Sequence, residues 1–521
     1  MHEQATVRLT GERIADVSPH LFGGLTEHFG TTMYGGIWDT ERDVPRADVK
    51  AAIMAGGYSM FRYPGGCFSD WYHWRDGIGP KDQRPTHDEQ FWTTFEFDSA
   101  VPAEIADAFR LPKETLRRHG PVETNQVGTN EMLQYCLDTG VEPFFSANFG
   151  TGSAAEAADW VRYTNLSGRA PRPVQWWGIG NETYGDWELG HCPPKEYAAR
   201  FVDYSRYMRA VDPDIKLVAV GSAGRGGAYP DTWNSEVFGE IAEHADAASL
   251  HWYFPGAWVG RKLRATEEEY LVLTAGPDDL ADTVDTAIAQ IDAATGPDHR
   301  LAISLDEWNL WASLPDLLST NARLADAVFF AGCFNRILER ADRIRIACIS
   351  HLVNCMAPIQ TRGDRHFVTS SYLVQQLYRR GLRRDVVGVD VECERYGVPE
   401  LTDTAANEDL AAAILPSSGS AGGKTAAALD ASASADETGT TVFLANRRFG
   451  DLVEVTVPGL PPKTPVTVQW ISGDSPWAVN SVDTPDALRM RTASTYTDGT
   501  GAARIQIPPY TVMALTVAAS A

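Results

Sequence analysis

Up to about Gly381, short apolar runs alternate with amphipathic stretches along the chain. The runs Leu21–Glu27, Tyr58–Tyr63, Glu142–Ala147 and Val174–Gly178 are followed by Lys216–Gly221, Ala247–His251, Leu301–Asp306 and Ile344–Ile349. Each reads as a strand, and several of the intervening segments carry helical spacing. Tyr197, Phe201, Tyr204 and Met208 share one face of a helix that Asp212-Pro213 ends. Eight such units predict an α/β fold, a (β/α)8 TIM barrel, with chemistry at the C-terminal ends of the strands. An open doubly wound sheet is the runner-up, but no G-x-G-x-x-G or phosphate-binding loop supports it.

Beyond Gly381 the period changes to strict alternation. Thr441–Ala445, Val453–Val457, Val466–Trp470 and Val512–Val517, punctuated by Pro and Gly, predict a C-terminal antiparallel β-sandwich. The expected domains are residues 1–20 as an N-terminal strand joining the sandwich, 21–380 as the barrel and 381–521 as the sandwich. Ser417–Thr440, rich in Ser, Ala and Gly, is expected to be a mobile loop.

Composition narrows the partners. Acidic residues exceed basic ones by 69 − 45 = 24, which disfavours nucleic acid and anionic membrane surfaces. No apolar run is long enough to span a bilayer. Met1-His2-Glu3-Gln4 lacks a basic region followed by an apolar stretch, so the expected location is cytoplasmic. The seven cysteines include no C-x-x-C pair and the histidines do not cluster at ligand spacing, so no metal is expected. The 15 Trp and 18 Tyr hint at sugar stacking, although core packing uses the same residues.

Two carboxylates stand where a barrel places its chemistry. Trp176-Trp177-Gly178-Ile179-Gly180-Asn181-Glu182 leaves the fourth run, and Ile303-Ser304-Leu305-Asp306-Glu307-Trp308 leaves the seventh. An unpaired charge is unfavourable among such apolar neighbours. Glu307 has a structural alternative, a salt bridge to Arg62. A glycosidase needs two carboxylates across one bond, about 5–5.5 Å apart if retaining and about 6.5–9.5 Å if inverting. Spacing in the sequence leaves both open. An ionised Glu307 is expected to raise the pKa of Glu182 and keep it protonated.

Four segments carry a family resemblance. They are Gly24-Leu25-Thr26-Glu27-His28-Phe29-Gly30 with Met33-Tyr34-Gly35-Gly36-Ile37, Phe61-Arg62-Tyr63-Pro64-Gly65-Gly66 with Trp74 to Pro80, Trp177 to Glu182 continuing to Gly190-His191, and Asp306-Glu307-Trp308-Asn309. Together they resemble glycoside hydrolase family 51, the α-L-arabinofuranosidases. The resemblance implies a barrel with a β-sandwich, a retaining exo-acting mechanism, Glu182 as acid/base, Glu307 as nucleophile and no cofactor. It also implies that Glu27, Arg62, Asn181, His251 and Tyr253 surround the sugar, that Trp311 forms an aromatic wall, and that the protein is a homo-hexamer acting on furanoside-containing oligosaccharides. Cys67 stands where many members have Asn, His351 where Gln is frequent, and Phe95–Gly120 looks like an insertion at the catalytic face. These departures bear on which furanose is taken. The rivals are a β-D-galactofuranosidase, an endo-glucanase and, in another class, a non-catalytic carbohydrate-binding protein on the same fold.

Overall fold

The computed structural model describes residues 3–28, 30–88, 122–223, 232–254, 265–311, 323–399 and 424–519. The Phe95–Gly120 segment lies outside them. Eight parallel strands close into a barrel: β2 (His20–Leu25), β3 (Met60–Tyr63), β4 (Glu142–Ala147), β5 (Trp176–Ile179), β6 (Lys216–Val220), β7 (Ala247–Phe254), β8 (Ala302–Leu310) and β9 (Ile344–Ile349), which pairs back onto β2. Alternation along each strand sorts the side chains. In β3, Phe61 and Tyr63 face the helix layer, whereas Met60 points into the barrel with Phe144, Val218, Ala247, Ile346 and Cys348. That apolar plug fills the lower barrel, and the polar residues of the same strands gather above it, at the C-terminal ends.

Helices pack outside the strands. Pro194–Arg209 buries Tyr197, Phe201, Tyr204 and Met208, and the chain leaves the helix at Ala210, just before Asp212-Pro213. Among the described residues, no helix is long and apolar enough to cross a membrane.

The second domain is a nine-stranded, mostly antiparallel sheet. Besides β1 (Glu3–Asp16) it contains β10 (Asp385–Glu392), β11 (Leu429–Asp436), β12 (Gly439–Asn446), β13 (Val453–Val457), β14 (Pro465–Ile471), β15 (Met490–Tyr496), β16 (Ala503–Ile507) and β17 (Val512–Ala518). Their order is β15-β14-β17-β12-β11-β10-β1-β13-β16. The N-terminal strand β1 runs antiparallel to β10 and parallel to β13, so it bridges the sheet's two parts. The sheet folds over, and one core holds Val7, Val442, Val455, Val468, Ile507 and Leu515.

One expectation is overturned here. Within Ser417–Thr440, residues 417–423 lie outside the described set, but Leu429–Asp436 is a central strand and not a mobile loop. Its small residues are the reason. Ala431 and Ala433 face the sandwich core, while on the other face Ser432 Oγ donates to Asn335 Oδ1 at 2.6 Å, on the helix Leu324–Glu339 of the barrel. Only short side chains let a strand be buried on both faces that closely.

Candidate active site

The ends of β2, β3, β5, β7, β8 and β9 build the mouth. After β5, Gly180 takes φ +79° and Glu182 φ +40°, and the turn presents Asn181 and Glu182 side by side. A left-handed glutamate is a strained conformation that its surroundings must hold in place. After β3, Gly65-Gly66 packs so tightly that a Cβ at Gly66 would stand 2.6 Å from Glu307 Oε1, and one at Gly65 would stand 2.3 Å from Glu27 Cγ. In β8 the register against β9 shifts between Leu305 and Trp308. This irregularity lets two consecutive carboxylates reach one guanidinium, with Arg62 Nε 3.2 Å from Asp306 and Arg62 Nη1 2.5 Å from Glu307 Oε1.

Arg62 therefore does what the salt-bridge alternative expected of it, and more. Its Nη2 also donates to Asn181 Oδ1 at 2.9 Å. Asp306 and Glu307 outweigh burial and drive its pKa still higher. Tyr253 donates from its hydroxyl to Glu307 Oε2 at 2.7 Å, and burial followed by the Glu307 charge pushes its own pKa well up. Trp311 stands edge-on to Tyr253, with ring centroids 5.5 Å apart.

Glu182 departs from the expectation. Burial works to raise its pKa, but His251, Trp187 and Tyr184 overcome it and hold the carboxyl below its usual range. His251 Nδ1 lies 2.8 Å from Glu182 Oε1, Trp187 Nε1 donates to Oε2 at 3.0 Å, and Tyr184 donates to Oε1 at 3.1 Å. His251 shifts the other way. Burial opposes its charge, yet Glu307, Glu182 and Asp306 carry its pKa upward. Its Nε2 meets Ser249 Oγ at 3.2 Å, and Ser249 donates to Asp306 at 2.7 Å. Both ring nitrogens are thus engaged by the protein.

The remaining predicted residues lie on the same mouth. Glu27 accepts from the Phe68 N–H at 3.0 Å and meets His351 Nε2 at 2.9 Å. Cys67 Sγ is 3.8 Å from Asn181 Nδ2, and burial followed by Glu188, Glu27 and Glu182 keeps it a thiol by pushing its pKa well up. Sequence reasoning missed Trp187, Tyr184 and Glu188, which follow Glu182 in a turn that reads as polar loop. It also missed Asp306 as a partner of Arg62, although adjacency to Glu307 on an apolar strand was a usable signal. Among the described residues, two triads, Cys67–Glu182–Glu188 and Glu182–His251–Glu307, bring their possible ligating atoms within 4.8 Å of one another. In both, protein donors already engage the carboxylate oxygens that a cation would need.

Paired carboxylates at this separation, across the mouth of an eight-stranded barrel, define a glycoside hydrolase. Comparison with known proteins makes the class specific. A family model described as the α-L-arabinofuranosidase 1 domain matches residues 54–263, and one described as the α-L-arabinofuranosidase C-terminal domain matches residues 306–511. The chain is 28% identical over 436 residues to a probable α-L-arabinofuranosidase C of Aspergillus fumigatus, covering 76% of this chain and 78% of that one. It is 28% identical over 404 residues to the intracellular exo-α-(1→5)-L-arabinofuranosidase 1 of Bacillus subtilis, covering 71% and 74%. The crystal structure of the Thermotoga maritima α-L-arabinofuranosidase in complex with arabinose superposes with a TM-score of 0.79 at 26% identity, covering 99% of this chain and 100% of that one. The chain belongs to glycoside hydrolase family 51, the α-L-arabinofuranosidase family.

Proposed function

We propose that the chain is an exo-acting, retaining α-L-arabinofuranosidase that removes terminal furanosyl residues from oligosaccharides. The observation that carries this reading is the spacing of Glu182 and Glu307, whose nearest oxygens lie within 4.8 Å. That gap suits attack by one carboxylate while the other serves the leaving group, and leaves no room for the water an inverting enzyme places between them.

Glu307 attacks the anomeric carbon. Arg62 and Tyr253 each fix one of its oxygens, so the attacking lone pair is aimed before substrate arrives. Glu182 protonates the departing oxygen and then activates water against the glycosyl ester. Asn181, oriented by Arg62, lies beside the bond being broken, with Glu27, His351 and Cys67 across the ring. The names of the B. subtilis and Streptomyces lividans relatives support an intracellular enzyme acting on α-1,5-linked arabinose. A cytoplasmic homo-hexamer is part of the same reading.

The test is a panel of 4-nitrophenyl furanosides and pyranosides. Cleavage of the α-L-arabinofuranoside is expected, preference for the β-D-galactofuranoside moves the assignment to that sugar, and turnover of pyranosides alone sinks it. With the preferred substrate, Glu307→Ala should abolish turnover. Glu182→Ala should lose about 10²–10⁴-fold on oligosaccharides, with partial azide rescue on aryl glycosides.

A further inference from the structure

We propose that Glu188, buried beside Glu182 and tied to Asn181 and Cys67, is a positioning residue that holds the proton Glu182 delivers to the leaving group. The inference rests on the reading of Glu182 as acid/base. It answers a difficulty that the site itself poses. A general acid must carry a proton, yet Glu182 is surrounded by donors from His251, Trp187 and Tyr184, which favour its ionised form. The proton must be held elsewhere and within reach.

Glu188 meets both conditions. It is buried, accepts from Asn181 Nδ2 at 3.0 Å, and its ligating atom lies within 4.8 Å of those of Glu182 and Cys67. One water closes such a gap. The groups facing it are Glu182 and Asn181 from the turn after β5, and Cys67 and Asp70 from the segment after β3. Neither Asn181 nor the Cys67 thiol carries a charge. Burial, then Glu182 and Asp70, raise its pKa well above the carboxylate range, against weaker lowering by Cys67 and Asn181. Its surroundings thus favour the acid form of Glu188, the donors around Glu182 favour its carboxylate, and the two titrate as a pair sharing one proton.

The proton balance closes. As the glycosidic bond breaks, the Glu188 O–H proton passes to Glu182 and from there to the leaving oxygen. Glu307 loses its charge on forming the ester, and Glu188 takes up a charge in its place, so the pocket's net charge is unchanged. In the second half-reaction Glu182 takes a proton from water and returns it to Glu188. His251 is the rival store. Its Nδ1 lies 2.8 Å from Glu182 and 3.5 Å from Glu307, so its proton serves two anions at once and is the harder one to release.

The test compares kcat/KM against pH for the wild type, Glu188→Gln and His251→Gln, on an α-1,5-arabinotriose and on the 4-nitrophenyl arabinofuranoside. Glutamine keeps an acceptor for Asn181 but cannot store a proton. In Glu188→Gln the alkaline limb should move to lower pH by about one unit. Near neutral pH, the loss on arabinotriose should exceed the loss on the aryl glycoside by about tenfold, because nitrophenolate leaves without an acid. Equal losses on both substrates with an unmoved limb would overturn the proposal, as would a limb that moves only in His251→Gln. If Glu188→Gln does not fold, glutamate δ-¹³C NMR decides. The wild type should show a carboxyl titrating above the ordinary range that moves down in Glu182→Gln, and the lack of any such resonance overturns the proposal. A wild type inactive on every furanoside would remove the parent reading. An active wild type with an unmoved limb would remove only the role of Glu188.

Discussion

Buried charge gathers in two regions of this molecule, and the two follow different rules. Between barrel and sandwich, Arg447 pairs with Asp278 at 3.1 Å and Asp430 at 3.8 Å, and Arg336 pairs with Asp278 at 2.9 Å and Asp430 at 3.2 Å. Two cations meet two anions there. Asp278 is pulled down to about 2, Arg447 and Arg336 overcoming burial, and only Glu339 at the margin is raised, by burial. At the barrel mouth, Glu27, Asp70, Glu182, Glu188, Asp306 and Glu307 outnumber the cations. Among the described residues, Arg62 pairs there with Asp306 and Glu307, His251 touches Glu182 and His351 touches Glu27. The interface is neutralised and holds its protons off. Among the described residues the mouth is short of positive charge and must share protons, and that is the condition proton-transfer chemistry requires.

The sharpest way to break this comparison is to take the Arg62 guanidinium from the mouth. Arg62→Ala leaves Asp306 and Glu307 buried without their guanidinium, a change that typically destabilises by about 3–5 kcal/mol. It also frees the nucleophile and the Asn181 amide. We expect kcat/KM to fall by about 10²–10³-fold or more and the apparent Tm to drop together with it. A stable, active Arg62→Ala enzyme would show that the mouth is neutralised in some other way.

Arg447→Ala is the matching change at the interface. Arg447 is only 1% exposed, and its removal leaves Asp278 and Asp430 with Arg336 alone, at a cost below the roughly 3–5 kcal/mol of a fully broken buried pair. Here the loss should appear in Tm alone, read by scanning fluorimetry, with kcat/KM on the aryl glycoside unchanged below the transition. A large kinetic effect at constant Tm would mean that the two regions are coupled, and the comparison would fail.

The same contrast explains what could be read from the chain. All eight barrel strands announce themselves as short apolar runs, because their outward faces meet helices and their lower inward faces meet the plug. Of the sandwich strands, β12, β13, β14 and β17 were equally plain in their alternation, but β10, β11, β15 and β16 were not. β11 is built of Ala and Ser, whose burial depends on the helix Leu324–Glu339 lying against it, and β15 runs Arg491-Thr492-Ala493-Ser494 along an exposed edge. In the site, Glu182 and Glu307 stood out as charges ending apolar strands. Glu188 did not, because nothing local marks a loop glutamate as buried. Its environment is made by Asn181, Cys67 and Asp70, brought together from two strand ends.

The smallest effect tests the rule through pH. Asp70 sits under the mouth, buried and accepting from the Phe149 N–H at 3.0 Å. Burial pushes its pKa up to about 7, against lowering by backbone N–H groups and Arg200. The folded state then binds this proton more tightly than the unfolded chain, whose aspartates titrate near about 4. The stabilisation is complete below about pH 4 and is lost as pH rises through about 7. Asp70→Asn cannot lose a proton and keeps the acceptor for Phe149. Its Tm relative to the wild type should therefore climb between about pH 4 and 7 and level off above. Asp278→Asn should show the opposite slope. The wild-type advantage from an ionised Asp278 is full above about pH 4 and disappears as pH falls through about 2. Since Asp278 is 39% exposed, solvent screens its pairs and the effect will be slight. Parallel slopes for the two variants would erase the distinction between a mouth that keeps protons and an interface that repels them.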